Sequence, residues 1–215
     1  MTTVVGICDY GVGNLRSVER AIRASGAEAV ISDAPETIAR CDGVILPGVG
    51  AFAVAARSLQ ETGLGDAVRS VARAGGPVLG VCLGFQLLFE RSDEGSGADG
   101  LALLPGEVSR LVPGAHLKIP HMGWNTLDTV ERASTLLAGT APGSYMYFVH
   151  SYAAMPAPSD IAATTTYGRV FAAAVERGNV MGTQFHPEKS GPAGLRVYAN
   201  FIAACASRIV PERVH

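Results

Sequence analysis

The 215-residue chain has no apolar run long enough to span a bilayer and no long run of one charge sign. A spanning helix needs about 20 consecutive apolar residues, so none is expected. Seventeen basic and nineteen acidic side chains leave a formal charge of −2. That balance offers neither a nucleic-acid footprint nor a polybasic anchor for a membrane surface. Cysteine is scarce and scattered, and Cys8, Cys41, Cys82 and Cys205 form no Cys-x-x-Cys pair. A disulfide framework and a structural zinc site are poor explanations, and no metal or cofactor is expected. The start, Met1-Thr2-Thr3-Val4-Val5-Gly6, has no basic region followed by a long apolar one. No secretion signal is read there, and the expected setting is the cytoplasm. With 48% hydrophobic and 17% charged residues, one core suffices, and residues 1–215 are read as a single domain.

In the first half, short apolar runs alternate with helical patterns. Residues 4–8 form such a run, followed by the turn-rich Asp9-Tyr10-Gly11-Val12-Gly13-Asn14. Leu15, Val18, Ala21 and Ile22 then recur at helical spacing. The Gly11-x-Gly13 pair lacks the third glycine of a dinucleotide-binding fingerprint. Further strands are expected at 29–32, 43–46 and from Pro77, with helices at 35–40 and between Phe52 and Ala74. This alternation predicts an α/β fold with a mostly parallel central sheet flanked by helices. Ligands of such sheets lie beyond the carboxyl ends of the strands. Residues 9–14, 47–50 and Cys82 all fall at such ends. After a polar loop at 92–100, β-like runs at 107–112, 145–152, 162–167, 170–176 and 180–185 predict antiparallel strands added to the sheet in the C-terminal half. A last helix is expected near 194–206.

Two motifs carry chemistry. Gly80-Val81-Cys82-Leu83-Gly84 has the Gly-x-nucleophile-x-Gly form of a strand-to-helix elbow. A helix N-terminus and a nearby imidazolium both favour a thiolate there. His186-Pro187-Glu188 follows the 180–185 run, and proline pushes the residue before it toward extended geometry. Residues two apart in an extended segment point to the same side, so Glu188 is placed to orient His186. Either motif alone fits an ordinary structure, a buried cysteine in one case and a surface triplet in the other. Together they describe a nucleophile with its base and orienting acid. An oxyanion would be met by the Leu83 amide and by Pro47-Gly48-Val49-Gly50, a strand-end loop whose glycines let a peptide turn over cheaply.

The elbow through Gln86, together with Phe185-His186-Pro187-Glu188, resembles the class I (triad) glutamine amidotransferases. Within them, five stretches resemble the glutaminase subunits of imidazole glycerol phosphate synthase: residues 9–14, 47–52, the elbow through Phe89, 118–125 and 147–152. Phe85 stands where methionine is common in that family. The resemblance implies that Cys82 attacks the side-chain amide of glutamine, with His186 moving the proton and Glu188 holding His186. It implies that Gln86, His150, Ser151 and Tyr152 hold the substrate. It also implies that a flip of the Gly48–Val49 peptide completes the oxyanion site. Asn14, His121, Met122, Trp124, Asn125, Tyr147 and Lys189 match positions at or near a docking face. The partner would be a (β/α)8-barrel cyclase subunit that forms a heterodimer with this chain and receives ammonia. Three alternatives stay open: a glutaminase serving another synthase, a cysteine hydrolase on a similar sheet, and a non-catalytic subunit that keeps the fold. His116 and His215 carry no signal, and Cys8, Cys41 and Cys205 are expected as small apolar fillers.

Overall fold

The structure, a computed structural model, describes residues 2–112, 114, 117–129 and 133–207; His116 and His215 lie outside them. In chain order the first half contains β1 (Val4–Cys8), α1 (Leu15–Ala24), β2 (Glu28–Ser32), α2 (Pro35–Ala39), β3 (Gly43–Leu46), α3 (Phe52–Glu61), α4 (Leu64–Arg73), β4 (Val78–Val81) and α5 (Leu83–Leu87). There follow β5 (Arg91–Ser92), β6 (Ala98–Asp99), β7 (Gly106–Arg110), β8 (His121–Thr126) and β9 (Asp128–Thr129). The last part holds β10 (Tyr145–His150), β11 (Tyr152–Pro156), β12 (Ile161–Tyr167), β13 (Arg169–Arg177), β14 (Val180–Thr183) and α6 (Gly191–Ala206).

The main sheet runs β2-β1-β3-β4-β14-β13-β12-β9. Its first five strands are parallel. The last three continue it antiparallel. Successive strand residues face opposite sides, and here both sides are covered. Val5, Ile7, Ile45, Leu79, Val81 and Met181 join a core with Val18 and Ile22 of α1 and Val197 and Phe201 of α6. Their neighbours Val44, Leu46, Val78 and Val180 join Ile38, Phe52, Leu59 and Val68 from α2, α3 and α4 in a second core. Each fully buried aliphatic side chain contributes about 1.5–3 kcal/mol, so the sheet is held from both faces. No described helix is long and apolar enough to cross a membrane.

The second half differs from its expected form in two ways. The run 145–152 breaks at Ser151, whose carbonyl accepts the Leu111 amide at 2.9 Å. β10 pairs with β8 in a two-stranded ribbon, whereas β11 pairs with β7 in a four-stranded sheet ordered β11-β7-β5-β6. Only β13, β12 and β9 therefore extend the main sheet antiparallel, while β14 lies parallel beside β4. Period-two patterning marks a strand but says nothing about its partner. β8 itself contains Gly123 and Asn125, residues that strands disfavour, and gives no strand signal.

Candidate active site

β4 delivers Cys82 at its carboxyl end. The residue sits at φ +55°, ψ −106°, a backbone region costly for any side-chain-bearing residue. Its amide donates to the Thr183 carbonyl at 2.8 Å, and its carbonyl accepts the Gln86 amide at 3.1 Å. Those bonds fix the turn from both flanks. The elbow glycines are required by contact: a Cβ on Gly84 would overlap the Leu46 carbonyl, and one on Gly80 would lie 2.6 Å from Phe85 Cα. The Phe85 ring packs over Gly182, whose own Cβ it would overlap, and meets Phe89 edge-on at 5.2 Å. The larger ring in place of methionine is thus accommodated inside the core.

Because β14 lies parallel beside β4, its carboxyl end brings His186 to the same edge of the sheet as Cys82. His186 is extended, but Pro187–Lys189 then closes into a single 3-10 turn rather than continuing the strand. The turn carries Glu188 back, and His186 Nδ1 donates to Glu188 Oε1 at 2.7 Å. Both side chains are 2% exposed, so solvent screens this pair little. Tyr198 of α6 donates to the other carboxylate oxygen at 3.3 Å. The His186 backbone is clamped as well, its amide on the Tyr147 carbonyl at 2.9 Å and its carbonyl under the Ser190 hydroxyl at 2.6 Å. His186 Nε2 is buried and makes no hydrogen bond within the described residues. Burial pushes the imidazole pKa down, but Cys82 and Glu188 outweigh it and raise it to about 10. A ring tethered through Nδ1 and basic at Nε2 is the partner a nucleophilic thiol requires.

The Leu83 amide is occupied: it donates to the Gly48 carbonyl at 3.4 Å. The Tyr10 hydroxyl donates to the preceding carbonyl, that of Pro47. Gly50, at φ +114°, and the exposed Val49 complete the loop. The first amide of α5 is therefore covered by the loop's own carbonyl in this conformation.

Gln86 lies 5% exposed, one helical turn on from Cys82. Its amide nitrogen donates to the Tyr152 carbonyl at 2.8 Å and to Gln184 Oε1 at 3.0 Å, which uses both hydrogens. Gln184 Nε2 in turn lies 3.9 Å from Cys82 Sγ, and that thiol is 3.7 Å from the Val149 carbonyl. His150 Nδ1 meets the Tyr152 carbonyl at 2.8 Å. Hydrogen bonds thus gather Cys82, Leu83, Gly48, Gln86, His150 and Tyr152 into one cluster, which His186 and Glu188 join through the electrostatic interaction of His186 with Cys82. Ser151, by contrast, spends its carbonyl on β7's neighbour Leu111.

The ribbon sorts the remaining residues by face. Met122 and Trp124 point outward at 62% and 56% exposed, and Trp124 meets Tyr147 edge-on at 6.0 Å. Lys189 Nζ lies 5.5 Å over the Tyr147 ring. Asn14 is exposed ahead of α1. His121 and Asn125 lie on the opposite face of β8, and His121 is buried. The sequence reading did not include Gln184, Tyr198, Tyr10 or Ser190 among the site residues. Gln184 had one available signal, a polar residue inside the apolar 180–185 run. Tyr198 lay on the apolar face of the last helix, indistinguishable there from core.

Residues 6–205 match the family model described as Glutamine amidotransferase class-I. A protein of Moorella thermoacetica named Imidazole glycerol phosphate synthase subunit HisH is 50% identical over 198 residues, covering 92% of this chain and 93% of its own. One of the same name from Gloeobacter violaceus is 47% identical over 213 residues, covering 98% and 94%. Among solved structures, one described as a glutamine amidotransferase superposes with a TM-score of 0.74 at 20% identity, over 94% of this chain and 98% of that one. PurLQS from Thermotoga maritima gives 0.72 at 20% identity, over 94% and 99%. At that identity the structures speak for the fold alone. With the family match spanning nearly every described element, the chain belongs to the class-I glutamine amidotransferase family.

Proposed function

We propose that this chain is the glutaminase subunit of an imidazole glycerol phosphate synthase. It hydrolyses glutamine to glutamate and ammonia and passes the ammonia to a (β/α)8-barrel cyclase subunit. That cyclase converts PRFAR to imidazole glycerol phosphate and AICAR in histidine biosynthesis, in the cytoplasm. The observation that carries the chemistry is the buried His186–Glu188 pair, with an unpartnered Nε2, beside a cysteine on a strained elbow. What supports the particular synthase is the near-full-length likeness to subunits of that name.

In the proposed reaction Nε2 of His186 takes the Cys82 proton, and the thiolate attacks the side-chain amide carbon of glutamine. The oxyanion is met by the Leu83 amide and, after the Gly48–Val49 peptide turns over, by the Val49 amide. His186 returns its proton to the departing ammonia, leaving a thioester on Cys82. Water, deprotonated by His186, then releases glutamate. With both hydrogens of its amide already used, Gln86 offers the substrate an acceptor oxygen, suited to the α-ammonium group. The covered Leu83 amide supports a chain that is nearly silent alone. The apolar outer face of the ribbon, with Met122, Trp124 and Tyr147, supports docking of the partner there.

The test is glutamate release by the purified chain, alone and then with an imidazole glycerol phosphate synthase cyclase subunit and its nucleotide ligand. A large rise only in the complex supports the proposal. Fast hydrolysis by the chain alone points to a different synthase, and none in either case leaves a non-catalytic subunit.

A further inference from the structure

We infer that His121 is a positioning residue for glutamine hydrolysis: with Asn125 and His150 it forms a one-way hydrogen-bond relay that holds the Tyr152 carbonyl and Gln86 in place below the nucleophile. The inference rests on the amidotransferase reading above.

The direction of the relay follows from its fixed end. The Tyr152 carbonyl only accepts, so His150 Nδ1, at 2.8 Å, carries the hydrogen. In a neutral ring Nε2 is then an acceptor, and its neighbour at 3.0 Å, His121 Nδ1, must donate. His121 Nε2 is left as an acceptor and meets the Asn125 amide nitrogen at 3.4 Å. The same nitrogen of Asn125 donates to the Thr166 carbonyl at 2.9 Å, which fixes which end of the amide faces the ring. Every member has one compatible protonation state. Burial agrees, pushing His121 down to about 4 and His150 to about 3, so both rings are neutral at physiological pH.

The His121 ring cannot turn freely. It stacks between Phe148, with centroids 4.9 Å apart, and Tyr167, at 4.1 Å, each tilted by 24°. Phe171 abuts it edge-on at 5.8 Å. At the other end, the Tyr152 carbonyl also accepts from Gln86, which continues through Gln184 to Cys82 Sγ. Were His150 to take the other tautomer, a bare Nδ1 would face a carbonyl lone pair and push Tyr152 away from Gln86. Asn125 and Trp124 are neighbours on β8, so the relay begins on the strand whose outer face is proposed to meet the cyclase.

The experiment uses the complex with the cyclase and two substitutions. His121→Phe keeps a flat ring in the stack but has no nitrogens. His121→Asn loses the stack but places an amide N–H near the position of Nδ1. We expect His121→Phe to raise KM for glutamine roughly tenfold with little change in kcat, and His121→Asn to recover most of it. Ring 15N chemical shifts of His150 should show a protonated Nδ1 and a bare Nε2 in the unaltered protein, and a tautomer mixture in His121→Phe. An unaltered KM in His121→Phe, or a His150 signature unchanged by it, overturns the relay. Absence of glutamate release by the unaltered complex would instead overturn the amidotransferase reading itself.

Discussion

Replacing Glu188 by glutamine removes one negative charge at nearly constant volume, and the site geometry sets the size of the effect. His186 is raised from 6.5 to about 10 against the pull of burial. That corresponds to about 5 kcal/mol in favour of the imidazolium. Cys82 and Glu188 share the effect. The carboxylate's own part is a short charge-assisted hydrogen bond, worth about 1.5–3 kcal/mol, or about 10- to 10²-fold in rate. The ring tautomer is also at risk. If Tyr198 keeps donating to the oxygen of the new amide, the amide nitrogen faces Nδ1 and places the ring hydrogen on Nε2, where the base is needed. The full loss in kcat/KM should then fall between about 10² and 10⁴. The assay is glutamate release by the complex, with ammonia-driven synthesis as the control that should not change. A loss below tenfold would refute the reasoning. Stability gives a second readout. Because the folded-state pKa of His186 is raised, its contribution is fully present below about pH 6.5 and disappears as pH rises through about 10. The difference in melting temperature between the native chain and Glu188→Gln should accordingly be larger at pH 6 than at pH 10.

Three further outcomes are expected. Cys82→Ala should abolish use of glutamine by the complex while leaving ammonia-driven synthesis intact; loss of both activities would contradict the division of labour. Tyr198→Phe removes a long hydrogen bond worth about 1 kcal/mol, so kcat should fall about fivefold with KM unchanged in steady-state assays. A change confined to KM would place Tyr198 in substrate binding instead. Gly84→Ala forces a Cβ into the Leu46 carbonyl and should cost about 3 kcal/mol or more, lowering the melting temperature by about 10 °C. An unchanged melting curve would mean that α5 does not cross β3 as closely as described.

The sequence by itself determined the parallel half of the fold, because alternating runs of apolar strand and amphipathic helix admit few arrangements. It also marked the candidate site residues: two glycines around Cys82 point to a strand-to-helix elbow, and His186-Pro187-Glu188 follows a strand, although the extended geometry expected through Glu188 gives way to a turn. Tertiary structure decided where the remaining strands pair. β10 and β11 are contiguous but for Ser151 and enter different sheets, which depends on partners 19 to 50 residues away. It also decided that Glu188 reaches His186 through a 3-10 turn and that Tyr198 completes the carboxylate's bonding from a separate helix. It decided that the Gly48 carbonyl covers the Leu83 amide. And it turned His121 and Asn125 inward while leaving Met122 and Trp124 outside, since the pairing of β8 with β10, and not any residue preference within 121–126, sets which face of that strand meets the core.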